Sequence, residues 1–172
     1  RAQSLLRGLS KSGLVALVPA LVHPELPLKA PVLCWKPGSP LPDFGSASYS
    51  LRARWRAQPE PTTLVVATRE ATRLVGGFIS NRNPRLSETT HDLHVAGVYL
   101  WLRSHHPRAA RRWTSEHELH ALGYGRGSRP PDAMLRGGHG LDRVVEFGGA
   151  YSKKKLCDFH AALEAQGVAY EI

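Results

Sequence analysis

Two short apolar runs, each carrying one carboxylate, constrain this chain more than any other feature. One opens on Pro131-Asp132 and continues as Ala133-Met134-Leu135. The other reads Arg143-Val144-Val145-Glu146-Phe147, with Glu146 fourteen residues beyond Asp132. Short apolar runs bounded by turn residues read as strands, and Gly137-Gly138-His139-Gly140 supplies a turn between these two. Paired as neighbours, they set Asp132 and Glu146 side by side. Oxygen ligands in that arrangement suit a hard divalent cation, Mg²⁺ or Mn²⁺. Such an ion activates water and steadies the charge of a phosphodiester under attack. Asp132 and Glu146 are therefore expected to be both metal ligands and catalytic groups.

The flanking segments predict the frame. Thr89 or Thr90 caps a helix through Ser104. Its apolar residues, Leu93 to Leu102, cover nearly every side, which predicts a buried helix. Asp92 and His94 are candidate contributors to the metal site, weighed against a plain helix start in which Asp92 faces the positive end. Ala109–Ser115 reads as a strand around Trp113, and Ser115-Glu116-His117-Glu118 as the start of a short helix whose carboxylates are first-turn acids, with metal ligation as the alternative. Ser152 caps a helix with Leu156, Phe159 and Leu163 on one face, ending at Gly167, and Val168–Ile172 reads as a last strand. The order is helix, strand, strand, strand, helix, strand, an α/β domain over residues 88–172.

The N-terminal half differs. Ala2–Ser10 is helix-like, with Leu5, Leu6 and Leu9 on one face. After Gly13, Leu14–Val18 reads as a strand, Pro19–Ala30 as a Pro-rich loop and Pro31–Trp35 as the returning strand. Helix, then Gly-Leu-Val, then a long hairpin has the pattern of the end of a winged helix, whose earlier helices would lie before Arg1; there the helix would enter the major groove and the hairpin would meet the backbone. An ordinary helix packed on a hairpin is the plainer alternative. Ser46–Ala57 reads as a basic helix, and the apolar run Leu64–Ala67 leads into a short helical stretch ending at Gly76-Gly77. The expected division is a winged-helix-like region with linker over 1–80 and the α/β domain over 88–172, so the class is α+β or α/β.

Charge points to the partner. The net charge is +9 and the pI about 10.1. Residues 1–60 hold eight basic and three acidic groups, the largest local excess. Release of counterions from DNA is the usual use of such an excess; a generally basic protein is the plain alternative. Expected DNA contacts are Arg1, Arg7 and Lys11 on the first helix, Arg52, Arg54 and Arg56 on the second, and Lys155 with Tyr151. No apolar run approaches the ~18–20 residues of a membrane span, so no membrane partner is expected. Cys34 and Cys157 lack zinc-ribbon spacing and read as small buried hydrophobes, which places the chain in the reducing cytoplasm. His117 and His120 share a helical face without a third ligand, so zinc is not expected. The chain starts on Arg1 and stops on Ile172 within a strand-like run, which reads as a fragment.

The element order, with Pro131-Asp132 opening the second strand and Glu146 ending the third, resembles the core of the PD-(D/E)XK nuclease superfamily over roughly residues 89–172. The resemblance implies that Asp132 and Glu146 hold the metal, helped by the Phe147 carbonyl. Gly148 stands where that superfamily carries a lysine, the group that orients water and stabilises developing negative charge. Lys153, Lys154 and Lys155 open the next helix, and some relatives supply the cation from there; Lys153 and Lys154 are the catalytic candidates. A solvated patch, or a phosphate held at the helix N-terminus, is the other use of these lysines. More widely, Ser12-Gly13-Leu14-Val15, His91-Asp92-Leu93-His94-Val95-Ala96-Gly97-Val98-Tyr99, Pro131–Leu135 and Val144-Val145-Glu146 resemble the replication-relaxation group of bacterial and plasmid proteins. That resemblance implies a winged helix joined to a nuclease-like half, serving plasmid or mobile-element maintenance. The expected function is a DNA-binding protein with a Mg²⁺- or Mn²⁺-dependent endonuclease-like domain. The alternative is a catalytically inactive regulator of replication or mobilisation. A homodimer or a larger nucleoprotein complex is the expected setting.

Overall fold

The structure, a computed structural model, describes residues 2–24, 26–76, 87–124, 129–137 and 143–172. Arg1, the Gly138-His139-Gly140 turn and most of the boundary expected at Asn81–Ser87 lie outside the described residues. In chain order the elements are α1 (Ala2–Lys11), β1 (Val15–Val22), β2 (Cys34–Trp35), α2 (Phe44–Ala53), β3 (Glu60–Ala67), α3 (Arg69–Val75), α4 (Thr89–His105), α5 (Pro107–Ala110), β4 (Trp113–Ser115), α6 (Glu116–Ala121), β5 (Ala133–Leu135), β6 (Arg143–Val145), α7 (Lys153–Glu164) and β7 (Ala169–Glu171). They form a mixed α/β structure in two interleaved units, Arg1–Pro24 with Gln58–Thr90, and Glu25–Ala57 with His91–Ile172. Residues 25–57, which the sequence groups with the N-terminal region, fall in the second unit.

The first unit is a two-stranded antiparallel ribbon, β1 against β3, in register from Val15↔Ala67 to Val22↔Glu60. α1 leads into it, and α3 follows, capped by Thr68 Oγ1, which accepts from Ala71 N at 3.2 Å. The strand that returns along β1 is therefore 60–67, not the expected 31–35. The nearer apolar run was the natural partner because hairpin loops are usually short. Trp35, however, is only 7% exposed and belongs to the core of the other unit, where β2 pairs with β7.

The second unit is built on a five-stranded mixed sheet in the order β2-β7-β6-β5-β4. β4, β5 and β6 form an antiparallel meander, β7 lies parallel to β6, and β2 closes the edge antiparallel to β7. Alternation along the strands divides the core. Met134, Val144 and Tyr170 pack with Leu51 of α2 and Leu156 of α7 on one side. Ala133, Leu135 and Val145 pack with Leu102 of α4 and Ala110 of α5 on the other. α4 is not buried all round as its composition predicts. Thr89, His94 and Leu102 are buried, whereas Ala96 and Leu100 are exposed. The sheet face beneath it is small, so it covers one stripe of the helix. The cysteines also depart from expectation: both are free, Cys157 is half-buried, and Cys34 is exposed because edge strand β2 turns Trp35 inward and its neighbour outward.

Ser152 caps α7 as the sequence predicts, its Oγ accepting from Lys155 N at 3.2 Å. Because this helix carries the end of the candidate site, loss of the cap matters. Ser152→Ala is expected to lower stability by about 1 kcal/mol, seen as a lower urea midpoint at unchanged slope. An unmoved midpoint would show that solvent satisfies that amide equally well.

Candidate functional site

The antiparallel register pairs Ala133 with Val145; continued by one residue, it sets Asp132 opposite Glu146. Asp132 is 4% exposed and Glu146 half-buried. Asp132 N donates to Glu146 Oε2 at 3.4 Å, and Phe147 N donates to Asp132 Oδ2 at 2.7 Å. The two carboxylates thus converge, each tied to the strand that carries the other.

Other groups complete the cluster. His91, in the first turn of α4, places Nε2 3.1 Å from Asp132 Oδ2, and Nδ1 3.6 Å from Asp92 Oδ1. The hydrogen bond to Asp132, then that to Asp92, pushes the His91 pKa up to about 10, so the imidazole is a cation at neutral pH. Tyr151 donates its hydroxyl proton to Glu146 Oε1 at 2.5 Å. Burial, then the neighbouring Asp132 charge, raises the Glu146 carboxyl above its ordinary range. The Tyr151 hydroxyl is raised too, by burial and then by Glu146. Arg129 lies 3.6 Å from Glu116, and the charges of Asp132 and Glu146 also reach it.

The three lysines separate. Lys155 Nζ stands 3.4 Å from the centre of the Tyr151 ring. Partial burial pushes its pKa down, against the pull of Glu146 and Asp132. Lys154 is fully exposed to solvent and spans 2.6 Å to Asp158, one turn on. Lys153 is exposed at the helix start. Lys155, expected as a DNA contact and as one of three lysines able to supply the cation, is the one that lies over Tyr151, although it too is exposed.

Of the other expected nucleic-acid contacts, Arg7, Lys11, Arg52 and Arg56 are exposed. Arg54 turns inward: it donates to the Gly148 carbonyl and lies 4.8 Å from the centre of the Phe147 ring. His94, a candidate ligand, is buried and stacked on Phe147 at 4.9 Å. Asp92 is exposed and reaches the site only through His91. Glu118 is occupied in a capping box with Ser115, whose N and Oγ donate to it at 2.7 and 2.8 Å.

Gly148 has a packing reason. A Cβ there would lie 2.5 Å from Ile172 Cγ2 and 3.1 Å from Leu51 Cδ2. A side chain there would have to displace Ile172, so a lysine at the place the resemblance implies is disfavoured in this fold.

Two carboxylates suffice for Mg²⁺, which commonly keeps several of its waters. Asp132 Oδ1 accepts no hydrogen bond among the described residues, so the donor chemistry fits such an ion. Among the described residues, no group of three or more His, Cys, Asp and Glu is arranged to hold a metal. Among the described residues the ligand set would rest on Asp132 and Glu146, with solvent.

Sequence reasoning missed His91 and Arg129 as members of this cluster. Arg129 had a signal: Pro130-Pro131 separates it from Asp132, and two fixed φ angles keep the pair in a set relation. His91 had a partial one, since its neighbours Asp92 and His94 were already candidates for the site, but nothing in the spacing chose His91 among the three. No described helix is long and apolar enough to cross a membrane. No protein-family model, curated protein or solved structure matches the chain.

Proposed function

We propose that this chain is a DNA-binding protein whose second unit is a PD-(D/E)XK-type, restriction-endonuclease-like domain acting on phosphodiesters with Mg²⁺ or Mn²⁺. The observation that carries the reading is the opposition of Asp132 and Glu146 on adjacent strands, with Lys155 over the ring of Tyr151, which donates to Glu146. The order helix, three antiparallel strands, helix and a parallel strand supports it. So does the net charge of +9. In this reading Asp132 and Glu146 hold the ion, which when bound would supply an acidified water and positive charge for the phosphodiester oxygens. Lys155 holds the phosphate, in the role expected of Lys153 and Lys154. In the first unit, α1 with the β1–β3 ribbon serves as the winged-helix-like contact through Arg7 and Lys11. The link to plasmid or mobile-element maintenance rests on the sequence resemblance alone, and the cytoplasmic setting on the reading of Cys34 and Cys157 as unpaired thiols.

A second reading is favoured by one observation: protein groups already satisfy three of the four carboxylate oxygens, His91 and Phe147 N on Asp132, Tyr151 and Asp132 N on Glu146. A regulator that kept the fold and lost the chemistry would use these contacts simply to lock the turn after β6.

Plasmid DNA incubated with Mn²⁺ and with EDTA, read on a gel, separates the two. Conversion of supercoiled plasmid only with Mn²⁺ supports the first; retention of supercoils in both lanes overturns it. Within the first reading, Lys155→Met is expected to slow cleavage about a hundredfold, the usual effect of removing one charge-stabilising donor. Lys154→Met should stay close to wild type, because its ammonium is engaged by Asp158. Equal effects from both would remove Lys155 from the site.

A further inference from the structure

A second strongly basic surface lies at the other end of the same sheet. No acidic residue occurs between Asp92 and Glu116, while Arg103, Arg108, Arg111 and Arg112 all do. The chain turns sharply there, His106 N donating to Leu102 O at 2.7 Å and Arg111 N to Pro107 O at 3.2 Å. Arg136, which follows β5, donates its amide to Arg112 O at 3.0 Å, so the two meet where β4 and β5 end. All five arginines are exposed. Among the described residues no carboxylate pairs with any of them. Arg143, at the same end of the sheet, is by contrast tied to Glu171 at 2.5 Å.

Local structure does not account for this concentration. A cation in the last turn of α4 favours the negative helix end, which explains Arg103. That effect fades within one turn and does not reach Arg112 or Arg136. Exposed like charges without a carboxylate partner among the described residues repel one another, and the arrangement becomes favourable when an extended anion lies across it. Guanidinium groups suit phosphate because their planar fork matches its oxygens.

We infer that the surface formed by α5 and the adjoining ends of β4 and β5 grips the phosphodiester backbone of a nucleic acid through Arg108, Arg111, Arg112 and Arg136. It rests on the reading that the partner is a nucleic acid, and it is independent of cleavage. Arg136 lies four residues along β5 from Asp132, about 13 Å at the usual rise per residue. The surface therefore holds a flanking stretch of backbone, away from the phosphate that would face the carboxylates.

The test is duplex affinity of the full chain as a function of KCl, by fluorescence anisotropy. Arg108→Gln, Arg111→Gln and Arg112→Gln together are expected to flatten the log–log salt slope by about 2–3, at roughly 0.9 per lost phosphate contact, and to weaken binding at least tenfold at low salt. A control removes the same charge elsewhere through Lys29→Gln, Lys36→Gln and Arg69→Gln, all at exposed positions, and should move the slope by less than one. Equal slopes for the two triple variants overturn the proposal, since net charge alone would then explain binding. Loss of binding to phosphatidylserine vesicles with duplex binding intact also overturns it, in favour of a membrane surface. Should the triple variant fold poorly, phenylglyoxal labelling of the wild type replaces it. Protection of these four arginines by the duplex supports the surface; equal labelling with and without duplex overturns it. Failure here is distinct from failure of the cleavage reading. Plasmid cutting with an unmoved salt slope removes this surface alone, and an altered slope without cutting removes the nuclease alone.

Discussion

Asp132→Asn and Glu146→Gln are each expected to abolish Mn²⁺-dependent plasmid cleavage while duplex affinity stays within a few-fold of wild type. A bound cation contributes several kcal/mol to stabilising the charge of a phosphodiester in reaction. At 1.36 kcal/mol per factor of ten, loss of a ligand corresponds to a rate roughly a thousandfold lower or worse. The amide variants are preferable to alanine. Asp132 also accepts from Phe147 N and faces the His91 cation, and its truncation would strand a buried amide at a cost of about 1–3 kcal/mol. Thermal melts of the purified variants confirm that they remain folded. Wild-type cleavage by either folded variant would remove the carboxylate pair from the chemistry.

Gly148→Lys is expected to destabilise the protein rather than to restore a missing catalytic group. Its Cβ alone would press on Ile172 and Leu51, which are 7% and 0% exposed. Overpacking of a filled core costs about 1–3 kcal/mol, and an ammonium entering that apolar space adds a desolvation penalty. A total near 3 kcal/mol or more corresponds to a Tm lower by roughly 6–12 °C for a chain of this size. Gly148→Ala should fall between the two, since it adds the clash without the charge. A Gly148→Lys protein that melts with the wild type, or cleaves faster, would show that the space beside β6 is open after all.

These expectations depend on contacts of very different legibility. The strands at 133–135 and 143–145, the Ser152 cap and the helix after it follow from local rules: short apolar runs bounded by turn residues, and a hydroxyl before a periodic stretch. The alignment of Asp132 with Glu146 was also legible, because two strands joined by a short turn have little choice of partner. Other features were not. The partner of β1 lies beyond an excursion that includes a helix and an edge strand of the other unit. Loop length argued for the nearer run, and burial of Trp35 decided against it. Likewise, which of three consecutive lysines lies over the Tyr151 ring depends on where that ring sits beside α7.

What the sequence by itself determined is therefore the set of elements in the second unit and the pairing of its two carboxylates, since both arise from interactions among near neighbours along the chain. Tertiary structure alone decided that His91 faces Asp132, that Lys155 rather than Lys153 or Lys154 lies over Tyr151, and that Gly148 is pressed by Ile172 and Leu51. Each of those depends on elements far apart in the chain packing against one surface, and no local periodicity records the distance between them.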